Sequence, residues 1–161
     1  MPPVRFLVVE DHEPYQQFIC SSLGKRNELQ IVGVASDGLD AVHKAVQLHP
    51  DFILLDIGLP TINGIEAARR ISELVPESKI LFLSMESDPE IVQEALSVGA
   101  VGYLAKAFVG SDLLAAVDAV IHGRQFVRLP DRMSNSQFDR QVPDRPRSVD
   151  VLGTPLPGET D

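Results

Sequence analysis

The sequence predicts an α/β fold built on a parallel β-sheet, and three observations support this prediction. Five apolar, β-branched segments alternate with five segments of helical periodicity over residues 1–127, as is typical of βαβ units. The first apolar segment is nearly continuous, as expected for a strand that has helices on both faces. Hydrophobic residues make up 44% of the 161 residues and charged residues 23%, which is a globular composition.

The first three predicted elements are a strand over residues 4–9, a helix over residues 13–25 and a strand over residues 29–35. The first strand ends where Glu10 begins a polar stretch. Pro14 suits a first helical turn, because the N–H that proline lacks has no partner there.

The next three predicted elements are a helix that ends at Leu48, a strand over residues 52–55 and a helix over residues 65–75. Ser36 or Asp37 is expected to cap the first of these helices, because a short oxygen-bearing side chain can accept from a free N–H of the first turn. Asn63 is expected to cap the second helix for the same reason. Pro50 separates the first helix from the strand.

The last four predicted elements are a strand over residues 79–83, a helix that ends near Val98, a strand over residues 102–105 and a helix over residues 111–122. Asp88 is the expected cap of the first of these helices, with Pro89 at its first position. Gly99 and Gly123 follow the two helices and favour their ends.

A change of composition near residue 128 divides the chain into two predicted regions. Residues 1–127 are expected to form one domain. Residues 128–161 contain five prolines and few apolar residues, which predicts a disordered or loosely docked tail. The tail has five arginines against six acids, so it is not a polybasic arm.

Composition also excludes several functional classes. The formal net charge of −9 repels nucleic-acid phosphates, so no direct nucleic-acid binding is expected. No apolar stretch is long enough to cross a membrane and no signal region is visible, so the expected location is the cytoplasm. Cys20 is the single cysteine, so no internal disulfide is expected. The four histidines lack the spacing of zinc ligands, so no zinc site is expected.

Chemistry is expected at the carboxyl edge of the sheet, where ligands bind in open parallel sheets. Polar side chains follow four of the predicted strands and converge on that edge: Glu10, Asp11, Asp56, Ser84 and Lys106. Three carboxylates beside one ammonium leave an excess of negative charge, which favours a divalent metal ion between the carboxylates.

Four motifs make the chain resemble the receiver domain of bacterial two-component response regulators over about residues 4–127. They are Val8-Val9-Glu10-Asp11, Leu54-Leu55-Asp56-Ile57-Gly58-Leu59-Pro60 with Gly64, Leu83-Ser84-Met85, and Gly102-Tyr103-Leu104-Ala105-Lys106. The residues of these motifs are most similar to those of the receiver subfamily that is usually linked to helix-turn-helix output domains, and no such domain is visible here. The resemblance implies a flavodoxin-like, doubly wound five-stranded sheet in the order 2-1-3-4-5 with five helices.

The resemblance also implies a role for each site residue. Asp56 corresponds to the phosphoryl acceptor, and Lys106 and Ser84 correspond to the groups that bind the phosphoryl oxygens. Tyr103 corresponds to the aromatic switch residue that turns inward after phosphorylation. The implied Mg²⁺ ligands are Glu10, Asp11, Asp56 and the backbone carbonyl of Gly58.

The expected function is phosphorelay signalling by a stand-alone receiver rather than a turnover enzyme. The implied partners are a sensor histidine kinase or phosphotransfer protein, and a downstream protein or second copy at the face of the fourth helix, fifth strand and fifth helix. One alternative is an aspartate-nucleophile phosphohydrolase, which would need an acid two residues after the nucleophile, where this chain has Gly58. The other is a phosphorylation-independent adaptor with the same fold.

Overall fold

The computed structural model describes residues 2–130, in which helices cover both faces of a parallel sheet. Met1–Arg128 forms a compact unit of its own. The sheet follows the order β2-β1-β3-β4-β5-β6 and confirms the predicted 2-1-3-4-5 arrangement. The strands are β1 (Val4–Val9), β2 (Leu29–Ala35), β3 (Phe52–Leu55), β4 (Lys79–Ser84), β5 (Gly102–Ala105) and β6 (Phe126–Arg128).

Five helices connect these strands, and three of them begin at the predicted caps. Their bounds are α1 (Glu13–Leu23), α2 (Gly38–Leu48), α3 (Gly64–Leu74), α4 (Pro89–Ser97) and α5 (Val109–Ile121). Asp37, Asn63 and Asp88 each accept a hydrogen bond from a first-turn N–H, at 2.8, 2.9 and 2.9 Å. These side chains replace helical hydrogen-bond partners that the first turn lacks.

The hydrophobic core lies on both faces of the central strands. Neighbouring residues of β1, such as Leu7 and Val8, point to opposite faces, and both are fully buried. One part of the core joins α1 and α5 to the sheet through Ile19, Leu23 and Val117, among others. A core of this kind fixes the strands, so the residues at their carboxyl ends have a rigid base.

A short sixth strand extends the predicted five-stranded sheet. Phe126–Arg128 pairs in parallel with β5, and Phe126 lies opposite Gly102. A Cβ atom at Gly102 would lie 2.6 Å from the Phe126 carbonyl oxygen, so the glycine permits this close approach. Three residues are too few to carry a periodic signal, and Arg128 had been assigned to the tail. Residues 131–161 of the predicted tail lie outside the described residues.

The start of α5 also differs from the prediction. A 3₁₀ turn, Lys106–Phe108, leads directly into the helix at Val109, two residues before the expected start at Ser111. The N-cap residue Phe108 offers no side-chain acceptor. No capping side chain therefore marks the start of the helix, and the Ser111 hydroxyl donates to the Phe108 carbonyl at 3.3 Å.

Helices of the described region are too short or too polar to be membrane spans. The longest, α5, has 13 residues, whereas a span needs about 20.

Candidate functional site

The carboxyl ends of β1, β3, β4 and β5 surround one cleft. All five residues expected at this edge line it: Glu10, Asp11, Asp56, Ser84 and Lys106. Parallel strands bring their carboxyl ends to the same edge, so residues up to 96 positions apart in sequence become neighbours. The structure therefore brings together the side chains that the sequence predicted to converge.

Lys106 is the buried cation of the cleft. Its Nζ lies 2.8 Å from Glu10 Oε1 and 3.1 Å from Asp56 Oδ2. Only 6% of the Lys106 side chain is exposed. Burial by itself would lower the pKa of the ammonium, but the two carboxylates outweigh that effect and raise it. Lys106 is therefore charged at neutral pH.

Glu10 is a nearly fully buried carboxylate, with 1% of its surface exposed. The pKa of Glu10 is raised, chiefly by burial and also by the negative charge of Asp56, although Lys106 and the His12 N–H act to lower it. Its Oε2 accepts from the His12 backbone N–H at 3.0 Å. Its Oε1 contacts Lys106 as an ion pair without the alignment of a hydrogen bond, so this oxygen still has lone pairs to offer a cation.

The three carboxylates of the cleft fit a magnesium ion by their chemistry. Glu10, Asp11 and Asp56 each offer an oxygen, and the three oxygens lie within 4.8 Å of one another. Mg²⁺ takes oxygen ligands and keeps several waters, so a few carboxylates suffice. The glutamate does not prevent this grouping, although it is longer than aspartate. Gly58 lines the cleft and donates its N–H to Asp56 Oδ1 at 3.3 Å.

Gly64 fixes the backbone of Asp56. A Cβ atom at Gly64 would lie 2.0 Å from the Asp56 carbonyl oxygen, which no side chain could tolerate without a shift of the backbone. The Gly64 N–H donates to the carbonyl of Ile57 at 2.7 Å. The start of α3 is therefore packed against the backbone that carries the Asp56 carboxylate.

Ser84 and Tyr103 lie on the neighbouring strands β4 and β5, and Ser84 lines the cleft. The Ser84 hydroxyl accepts from the Glu86 N–H at 2.9 Å. The Tyr103 ring is fully buried, and its hydroxyl donates to the Glu86 carbonyl at 3.3 Å. Burial raises the pKa of Tyr103 to about 12. The ring already occupies an inward position, which the resemblance had associated with phosphorylation.

Sequence reasoning missed one feature at the mouth of the cleft, the contact of an aromatic ring with Lys106. The Tyr15 ring centroid lies 4.7 Å from Lys106 Nζ, and the Tyr15 and His12 ring centroids are 5.6 Å apart. Met85 lies at the rim with 73% of its surface exposed. Tyr15 lies in the first turn of α1, and its contact with Lys106 depends on where α1 is placed relative to the end of β5, for which the sequence gives no signal.

Comparison with known proteins relates this cleft to a signalling family. The sequence model of the response regulator receiver domain family matches residues 6–118 of this chain. The transcriptional regulatory protein DegU of Brevibacillus brevis is 32% identical over 124 residues, which cover 77% of this chain and 52% of DegU. LnrK of Bacillus subtilis, also a transcriptional regulatory protein, is 33% identical over 120 residues, which cover 74% of this chain and 54% of LnrK. The chain thus spans about half the length of these relatives.

Solved structures agree with this result. A LuxR-family two-component response regulator from Aurantimonas sp. superposes with a TM-score of 0.74 at 28% identity, covering 80% of this chain and 91% of that one. The signal receiver domain of the response regulator NarL from Mycobacterium tuberculosis gives a TM-score of 0.70 at 31% identity, covering 77% and 100%.

Proposed function

We propose, from the premise that this chain belongs to the response regulator receiver domain family, that it accepts a phosphoryl group on Asp56 from a phosphohistidine. The donor would be a sensor histidine kinase or a phosphotransfer protein. An oxygen of the Asp56 carboxylate attacks phosphorus, the P–N bond breaks, and the imidazole leaves after gaining a proton. The product is an aspartyl phosphate, and the protein is an acceptor rather than a turnover enzyme.

One observation carries this proposal: a single buried ammonium contacts two of three clustered carboxylates. Lys106 contacts Glu10 and Asp56 at 2.8 and 3.1 Å, and Asp11 completes the carboxylate group. The Lys106 ammonium can exchange its contact with the Asp56 carboxylate for a contact with an oxygen of the incoming phosphoryl group. A bound Mg²⁺, held by the three carboxylates and the Gly58 carbonyl, would offset repulsion between acceptor and donor.

Ser84 and Tyr103 are the proposed readout of this step. Ser84 is 2% exposed, and its hydroxyl oxygen accepts from the Glu86 N–H, so its proton can be donated to a different acceptor. We assign it a hydrogen bond to a phosphoryl oxygen. Tyr103 and Ser84 both contact Glu86. A movement of Ser84 would therefore change the loop that holds the tyrosine, and the buried ring would become more strongly fixed.

The two alternatives have less support. A phosphohydrolase would need an acid at Gly58 to protonate its leaving group, and glycine offers none. A phosphorylation-independent adaptor would have no need for two buried carboxylates, Glu10 and Asp56, beside a buried ammonium, since buried charges reduce folding stability.

The decisive experiment is intact mass spectrometry after incubation with acetyl phosphate. We expect wild type to gain one phosphoryl group with Mg²⁺ and none in EDTA, and Asp56→Asn to gain none under either condition. Asp51→Asn is the matched control, because Asp51 is an exposed aspartate at the opposite edge of the sheet, and it should be labelled like wild type. Undiminished labelling of Asp56→Asn would contradict the proposal.

The proposed output is a change of protein contacts at the face of α4, β5 and α5. Three acids near this face have arginine partners: Glu94 contacts Arg69, Asp112 contacts Arg128 and Asp118 contacts Arg26. The case against direct DNA binding therefore depends on the net charge of −9 rather than on these acids. Sedimentation with and without beryllofluoride should show altered association with a second copy or a partner, and a mobility assay should show no binding of duplex DNA.

A further inference from the structure

The ammonium of Lys106 has an aromatic neighbour in addition to its two carboxylates. Lys106 Nζ lies 4.7 Å from the centroid of the Tyr15 ring, within the range of about 6 Å over which a ring face attracts a cation. With 6% of the Lys106 side chain exposed, little water screens this attraction. Glu10, Asp56 and the ring thus contact the cation together.

The first turn of α1 fixes Tyr15 relative to the site. The His12 N–H donates to Glu10 Oε2 at 3.0 Å, and Gln16 Nε2 donates to the Glu10 carbonyl at 2.9 Å. These two hydrogen bonds flank Tyr15 in sequence and join the helix to the residue that contacts Lys106. Glu10 therefore pairs with the Lys106 ammonium and also holds Tyr15 beside it.

We propose that Tyr15 is a positioning residue for phosphoryl transfer, whose ring holds the Lys106 ammonium at the cleft while its carboxylate partners change. The inference deepens the proposed function and rests on it. Tyr15 acts through Lys106 and does not itself touch the transferred group.

The reason is that the two carboxylate contacts do not persist through the reaction. Phosphorylation converts the Asp56 carboxylate into an acyl phosphate, and a metal bound at the carboxylates competes for Glu10. The ring is uncharged and keeps its place on α1. The ring attracts the cation through its quadrupole and does not act as a hydrogen-bond acceptor, so the N–H groups of the ammonium remain available to the phosphoryl oxygens.

The test compares two replacements of Tyr15. Tyr15→Phe keeps the ring and removes the hydroxyl, whereas Tyr15→Leu keeps an apolar side chain and removes the ring. Phe18→Leu is the matched control, because Phe18 is an aromatic residue on the same helix, is 43% exposed and does not line the cleft. If Tyr15→Leu melts well below wild type, Tyr15→Met replaces it as the variant without a ring.

Two readouts are measured for each variant. The first is the rate of phosphorylation by acetyl phosphate with Mg²⁺, which needs no docked partner. Loss of the ring should slow it about five-fold, which corresponds to about 1 kcal/mol, the value of a cation–π contact at a partly exposed site. The second is the proton NMR chemical shift of the lysine ε-methylene groups, of which the chain has four. The Lys106 signal should be displaced by the ring and should be assigned from its loss in Lys106→Arg.

The expected pattern is that Tyr15→Phe and Phe18→Leu match wild type in both readouts, while Tyr15→Leu is slower and loses the displaced signal. A Tyr15→Leu protein with the wild-type rate would overturn the inference, and so would a Tyr15→Phe protein as slow as Tyr15→Leu. If wild type accepts no phosphoryl group, the proposed function fails, and the methylene signal alone then reports whether Tyr15 contacts Lys106.

Discussion

The amino and carboxyl edges of the sheet both carry charged side chains, and they differ in how those charges are paired. At the amino edge, the Arg5 guanidinium donates to the carbonyls of Leu48 and His49 at 2.9 and 2.8 Å. The Arg5 backbone N–H donates to Asp51 Oδ2 at 2.8 Å. The arginine therefore satisfies carbonyls at the C-terminal end of α2, where a positive charge is also favoured by the helix dipole.

At the carboxyl edge, the charges do not balance. Lys106 is the ammonium of a cluster with three carboxylates, and Glu10 and Asp56 of that cluster are buried. The raised pKa of Glu10, caused first by burial, shows that its ionised form is disfavoured there.

The charges at the amino edge therefore stabilise the fold, whereas the unbalanced negative charge at the carboxyl edge is suited to bind a cation. Paired groups at the amino edge stabilise the protein, whereas the excess negative charge at the carboxyl edge reduces stability until a cation binds. Removal of a charge should therefore have different effects at the two edges. At the carboxyl edge, the sign of the removed charge should decide whether stability falls.

The largest expected effect is that of Lys106→Met. This substitution removes the Lys106 ammonium and leaves Glu10 and Asp56 as buried carboxylates with no cation. The free energy of unfolding should therefore fall by about 3 kcal/mol at neutral pH in EDTA. Urea denaturation measures this change, and Mg²⁺ should recover part of the loss by binding the native state.

Lys79→Met is the control for this variant. Lys79 is exposed at the start of β4, near the amino edge, and its replacement should change stability by less than about 0.5 kcal/mol. Equal effects of the two substitutions would mean that the carboxyl edge has no charge imbalance.

Arg5→Met should have the next largest effect. It leaves the carbonyls of Leu48 and His49 without their charged donor, which should reduce the free energy of unfolding by about 2 kcal/mol. Mg²⁺ should stabilise Arg5→Met as much as wild type, because the carboxylates proposed to bind it lie at the other edge. Arg5→Lys should be intermediate, since one ammonium cannot reproduce the two-pronged geometry of a guanidinium. A smaller response of Arg5→Met to Mg²⁺ would show that the two edges are coupled.

The sequence was sufficient to predict the carboxyl edge because its residues are determined locally. An apolar strand that ends in a polar residue places that residue at the edge, so Asp56 and Lys106 could be located without knowledge of packing. The amino edge gave no comparable signal. Arg5 and Asp51 are ordinary charged residues in the sequence, and the role of Arg5 depends on where α2 ends.

Features that depend on contacts between distant segments could not be predicted. The Tyr15–Lys106 contact joins α1 to the end of β5, and the Arg26–Asp118 ion pair, at 2.9 Å, joins residues 92 positions apart. The strand β6 has only three residues, and its pairing needs the small side chain of Gly102 on its neighbour. Each of these follows from tertiary packing rather than from local propensity.

The smallest expected effect is a difference in pH dependence between Glu10→Gln and Glu77→Gln. The native pKa of Glu10 is raised above its ordinary 4.5, chiefly by burial, so its contribution to stability is complete below pH 4.5 and is lost as pH rises through the native value. A hydrogen bond from His49 lowers the pKa of Glu77. Its contribution is therefore present above pH 4.5 and is lost as pH falls through the native value.

In EDTA, raising the pH from below 4.5 to about 7 should thus favour Glu10→Gln relative to wild type and disfavour Glu77→Gln. Midpoints of urea unfolding across this range measure both slopes. Glu77 is exposed and lies on the amino side of the sheet, so the effect of its replacement should be slight and opposite in sign. Parallel slopes for the two variants would mean that Glu10 titrates as an ordinary paired carboxylate, and the contrast between the two edges would then be lost.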